Sequence, residues 1–67
     1  MKFVLNNREE EITKVQLSIS ELLDYKKLTF RMRVVKINGV LVSKNEYDTT
    51  LINEGDNVQI IYLMSGG

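Results

Sequence analysis

The 67-residue chain contains no cysteine, so no disulfide can staple the fold. It contains no histidine either, which removes the common metal-site chemistry and leaves no Cys or His nucleophile. Charge of one sign is not in excess, because nine basic side chains cancel nine acidic ones. A nucleic-acid binder shows a basic surplus or stripe, and neither is present. Long apolar runs are missing as well. Met1-Lys2-Phe3-Val4-Leu5 is too brief for a signal-peptide core, and Asn6-Asn7-Arg8 interrupts it. No segment is long enough to cross a bilayer, so no membrane partner is expected and a reducing cytoplasm is the expected compartment. There is no glycine-rich phosphate loop, no internal repeat and no low-complexity stretch.

What is present is the make-up of one small soluble domain spanning residues 1–67, 43% apolar and 27% charged. A chain this short buries only about 60% of its unfolded surface, so regular elements and packed aliphatics must carry its stability. Phe3-Val4-Leu5 is a β-rich run that meets Asn6-Asn7, a pair able to take the positive φ of a tight hairpin turn. The more polar stretch from Arg8 to Val15, with Ile12 pointing inward, predicts a partner strand wet on one side. Within it Glu9-Glu10-Glu11 reads as a solvated edge.

Ser18-Ile19-Ser20-Glu21 fits a helix capping box. Ile19, Leu22, Leu23 and Lys26 then share one face of a helix over 19–27, with Lys26-Lys27 complementing its dipole. Arg33 to Ile37 predicts a strand, Asn38-Gly39 a turn and Val40-Leu41-Val42 a return strand. A polar connector over Ser43 to Leu51, with a single helical turn near Tyr47, leads to the turn Glu54-Gly55-Asp56. Gly55 there is free to adopt a left-handed conformation. Val58 to Leu63 is the expected last strand. Hairpin, helix, strand pair and final strand make an α+β roll, in which the helix covers one sheet face. If the first and last strands pair in the middle, residues 63–67 form a flexible tail.

Ser65-Gly66-Gly67 is the one chemically suggestive segment. Two glycines lie extended in a narrow channel, and a terminal glycine carboxylate is unhindered enough to attack the α-phosphate of ATP. The product would be an acyl-adenylate, open to a sulfur nucleophile. Nothing in the chain binds ATP, so the domain is expected to hold no cofactor or metal and to have no catalytic residue. Activation must come from a partner enzyme. A frayed end or a linker stub would carry the same dipeptide. Its position just after Ile60-Ile61-Tyr62-Leu63, on a domain with no other chemistry, favours the functional reading.

Several of these residues form a familiar order: Val35-Lys36-Ile37-Asn38-Gly39, Val42, Tyr47, Thr50, Glu54-Gly55-Asp56, Val58 and Gly66-Gly67. With Met1 to Asn6 and the helix start at Ser18 to Leu23, the chain resembles over its whole length the β-grasp sulfur carriers of the ThiS/MoaD family. Within that family it most resembles the ThiS carriers of bacterial thiamine biosynthesis. Ser43 departs from the proline frequent after the position of Val42. Leu63-Met64-Ser65 is bulkier than the small residues common before the final glycines.

The resemblance implies a ubiquitin-like β-grasp fold. It has a mixed four- to five-stranded sheet, one main helix on one face and an extended C-terminal tail. It also implies a carrier rather than an enzyme. A ThiF-like adenylating enzyme uses ATP and magnesium to adenylate Gly67, and sulfur derived through a cysteine desulfurase replaces the adenylate to give a thiocarboxylate. A ThiG-like thiazole synthase then accepts the sulfur. Gly66 and Ser65 supply reach. Related readings are a carrier for molybdopterin synthase and a ubiquitin-like modifier; a reading from another class is a β-grasp interaction domain with an inert tail.

Strand alternation turns Phe3, Leu5, Val35, Ile37, Val58 and Ile60 toward Ile19, Leu22 and Leu23. It turns Val4, Val34, Ile61 and Leu63 to the opposite face. Together with Met64 they are the expected partner-docking residues, leading to the tail. Tyr25, Tyr47 and Tyr62 read as packing or rim residues, and Asp48 beside Thr49-Thr50 as turn or capping chemistry. Glu54 and Asp56 fall short of a calcium loop.

Overall fold

The computed structural model describes residues 1–28 and 32–62. Strands β1 (Lys2–Leu5) and β2 (Arg8–Glu11) form the opening hairpin, closed by Asn6 and Asn7 at φ 50° and 67°. Two consecutive left-handed residues make the tight turn whose twist suits antiparallel strands, and asparagine tolerates that region better than most side chains. The strand expected to reach Val15 ends at Glu11. Its partner begins at Lys2, paired with Glu11, so the ladder runs out, and Val15 is 84% exposed.

A short strand β3 (Leu17–Ser18) runs into helix α1 (Ile19–Tyr25). The capping box is complete: the Glu21 amide donates to Ser18 Oγ at 3.0 Å, and the Ser18 amide donates to Glu21 Oε1 at 3.0 Å. The helix stops two residues before its expected end at Lys27. Lys27 turns left-handed at φ 56°, so its amide reaches the Asp24 carbonyl while that of Leu28 reaches Leu23 at 2.8 Å. That is a Schellman closure with lysine in the usual place of glycine. The Lys26 ammonium pairs with Glu10 on β2 at 3.0 Å, giving the acidic edge strand an ionic tie to the helix.

Strands β4 (Arg33–Ile37) and β5 (Val40–Val42) meet at the expected Asn38-Gly39 turn, where φ is 51° and 83°. A 3-10 turn over Lys44–Glu46 stands next to Tyr47, where one helical turn is expected. Strand β6 (Leu51–Ile52) then pairs antiparallel with β3, a small second sheet inside what reads as a polar connector. Gly55 turns at φ 83° into β7 (Asn57–Tyr62), which lies centrally in the order β2-β1-β7-β4-β5. It runs parallel to β1 and antiparallel to β4. This is the expected β-grasp arrangement, with a mixed sheet of five strands and one helix on its inner face.

The core follows the alternation. Phe3, Leu5, Ile19, Leu22, Leu23, Val35, Val58 and Ile60 are buried. Ile37, expected among them, is half-buried at the margin, whereas Leu17, Val42 and Ile52 join the core unannounced and Tyr47, expected to pack, is buried with them. The Glu21 carboxyl lies below the ordinary value of 4.5, chiefly through the Ser18 amide and then through Lys14, 3.1 Å away. A depressed folded-state pKa adds stability above the unfolded value and loses it as pH falls through the folded one. Thermal melts from neutral to acid pH should therefore show a steeper acid decline for the wild type than for Glu21→Gln. Equal slopes would mean the cap carries no titrating contribution.

Candidate functional site

The geometry begins with β7. In-sheet neighbours cover a central strand's edges but not its faces, and Ile61 is 45% exposed because, among the described residues, no helix lies on the outer face of this sheet. Ile61 is the direct register partner of Val34 on β4, so these two expected docking residues sit side by side. Val34 is half-buried. On the same face Lys36 pairs with Gln59 of β7 and with Leu41 of β5, and Leu41 is 63% exposed. Sequence reading did not single out Leu41; strict alternation from buried Val42 would have found it.

Val4 does not join this cluster. Its partner on β7 is Asn57, four positions before Ile61, which puts it about 13 Å away at strand spacing. The outward neighbours there are charged, with Lys2 opposite Glu11 and Glu9 opposite Val4. The face therefore divides into an apolar end around Val34, Ile61 and Leu41 and a charged end around β2. The other expected docking residues, Leu63 and Met64, and the expected sulfur-bearing segment Ser65, Gly66 and Gly67, lie outside the described residues.

The apolar end is also where β7 finishes. Tyr62 pairs with Arg33, whose guanidinium lies over the ring of Tyr47, 5.4 Å from its centroid. That geometry attracts a cation to the π face. Tyr47 is buried and Tyr62 half-buried, so both pack, as expected, while exposed Tyr25 sits beside Lys26 at the helix end. On β7's other side Asn6 does more than turn the hairpin. Its Oδ1 accepts from the Ile60 amide at 2.8 Å and its Nδ2 donates to the Ile60 carbonyl at 3.2 Å.

The remaining polar groups serve the scaffold. Glu54 Oε1 accepts from the Lys2 amide, and Asp56 accepts from Asn38 Nδ2 and the Asn53 amide, which commits both carboxylates to closing the turn. Asp48 accepts from the Ser20 hydroxyl and so ties the connector to α1. Among the described residues no three His, Cys, Asp or Glu side chains converge on a common point, and no helix is long and apolar enough to cross a membrane. What the face offers chemically is an apolar platform beside the end of the central strand.

Comparison with known proteins agrees with this architecture. The model of the ThiS family matches residues 3–67. The crystal structure of the thiamine biosynthesis protein ThiS from Geobacter metallireducens superposes with a TM-score of 0.89 at 28% identity, covering 100% of both chains. An NMR solution structure of a thiamine biosynthesis protein from the same organism gives 0.79 at 28% identity, covering 100% of this chain and 88% of the other. No curated protein sequence matches the chain.

Proposed function

Because this chain belongs to the ThiS family, we propose that it is the sulfur carrier of a thiamine pathway and that Gly67 bears the sulfur. The observation that carries this reading is the extent of the family match, which runs through Gly66 and Gly67 and so includes the tail in the family pattern. A ThiF-like enzyme binds ATP and magnesium. The Gly67 carboxylate attacks the α-phosphate and pyrophosphate leaves; a persulfide formed from cysteine by a desulfurase displaces AMP, and a thiol then cleaves the acyl disulfide, releasing the thiocarboxylate and leaving a disulfide. The resulting thiocarboxylate goes to a ThiG-like thiazole synthase. The carrier works in the cytoplasm as a cosubstrate, with no bound cofactor of its own. Its missing cysteine is no handicap, since the sulfur sits on the backbone carboxyl.

Intact-mass measurement after incubation with a ThiF-type enzyme, ATP and a sulfur source tests the proposal. One oxygen should be replaced by one sulfur, and transfer to thiazole synthase should restore the starting mass. An unchanged mass would leave a β-grasp interaction domain. Delivery to molybdopterin synthase instead of thiazole synthase would reassign the acceptor.

The apolar end of the outer face is the proposed docking platform, since it adjoins the strand that leads to Gly67. Placing a charge at its centre should weaken encounter without unfolding the domain. Ile61→Asp is expected to raise KM for the carrier in adenylation by about thirty-fold, the scale of one interface hot spot. Val15→Asp, at a position 84% exposed and away from the sheet, should not change it. Equal KM values for the two variants would remove the platform from the docking surface.

A further inference from the structure

The backbone of β1 cannot accompany β7 to its end. Their register pairs stop at Leu5 and Val58, and the Asn6 amide makes one more bond, to the Val58 carbonyl at 2.9 Å. The chain then reverses through Asn6 and Asn7. A continuing parallel strand would next offer Ile60 one carbonyl and one amide. The Asn6 carboxamide offers both, with Oδ1 on the Ile60 amide at 2.8 Å and Nδ2 on its carbonyl at 3.2 Å. One side chain thus replaces the peptide groups that the turn takes away. Aspartate lacks the donor and serine cannot span both atoms, so the chemistry selects a carboxamide. The left-handed φ of 50° at this position also suits asparagine.

We propose that Asn6 is a positioning residue for tail presentation. Its carboxamide clamps β7 at Ile60 from the β1 side, so that Ile61 and Tyr62 at the end of the strand reach the adenylating enzyme already ordered. This rests on the reading of Gly67 given above. Without the clamp, β7 beyond Val58 is held by its ladder with β4, and docking must itself order the strand end. That ordering cost falls on binding, not on the chemical step, so it moves KM and leaves kcat alone.

Asn6→Gly is the informative variant, because glycine keeps the positive φ while removing the carboxamide. With a ThiF-type enzyme, pyrophosphate release measured over a range of carrier concentrations should show KM raised about ten-fold at unchanged kcat, the scale of two lost hydrogen bonds. Asn6→Asp should also raise KM, since its carboxylate faces the Ile60 carbonyl without a proton to donate. Ser18→Ala, which removes the α1 cap and leaves β7 untouched, should lower the melting temperature with no change in KM.

Amide hydrogen exchange gives a second readout independent of activity. Protection at Ile60 should fall in Asn6→Gly while that at Val35 is kept. Unchanged KM and unchanged Ile60 exchange in Asn6→Gly would overturn the proposal, and so would a KM rise equalled by Ser18→Ala. A wild-type chain that is not adenylated at all would overturn the reading of Gly67, and the positioning role with it, while the Ile60 exchange result would stand as a statement about the fold.

Discussion

Deleting Gly67 should abolish ATP-dependent loading and leave the melting temperature where it was. Among the described residues the buried core runs from Phe3 to Ile60 and the last strand ends at Tyr62, so the deletion touches none of the described packing. The chemistry draws everything from Gly67. Shortening the chain by one residue retracts the carboxylate by up to about 3.5 Å. A misplacement of about 1 Å is enough to cost a reaction roughly a hundred-fold. The loss in kcat/KM for pyrophosphate release should therefore exceed a hundred-fold. Gly67→Ala keeps the carboxylate in reach but places a methyl group beside it, and should fall between the deletion and the wild type. Loading of the shortened chain at the wild-type rate would detach the reaction from the terminal carboxylate.

The main elements were legible because each had a local cause written in adjacent residues. Ser18 and Glu21 announce the helix, Asn38-Gly39 the second hairpin, and the alternation in β4 and β7 the two faces. What escaped were features created by distant partners. Leu17 and Ile52 are 35 positions apart, and two-residue strands have no periodicity to detect, so the small β3–β6 sheet is visible only once they meet. The helix ends earlier than its apolar spacing predicts for a related reason: lysine gives no sign that it will take the left-handed position glycine usually fills.

The candidate site divides in the same way. Val34 and Ile61 could be assigned to one face by counting, and they prove to be direct partners. Counting could not show that Val4 lies at the other end of that face, because a face assignment carries no register. Nor could it show that Asn6 bonds Ile60, a contact across 54 positions made by a residue already accounted for by its turn. The Gly66-Gly67 dipeptide is a different case, since on the proposed function its meaning depends on a partner's active site, and only the family match, which extends to residue 67, gives it context.

Leu22→Ala should bring the domain close to its unfolding threshold at room temperature. Leu22 is fully buried on α1, which covers the inner face of the sheet, among Ile19, Leu23, Val35 and Val58. Leucine-to-alanine changes at such sites cost about 3–5 kcal/mol, the lost transfer energy plus the cavity left behind. A domain of this length has about 3–10 kcal/mol in total. With no cysteine to form a disulfide, no covalent cross-link offsets the loss. Urea unfolding should show a midpoint reduced by roughly a third or more at unchanged slope, since the area exposed on unfolding is nearly the same. A loss no greater than that of Ser18→Ala would mean the helix–sheet interface closes over the cavity. The variant also separates scaffold from chemistry. Cooled or supplied with a stabilising osmolyte, its folded fraction should recover and the recovered protein should be adenylated with wild-type kcat, because Leu22 holds the platform together and has no part in the reaction at Gly67.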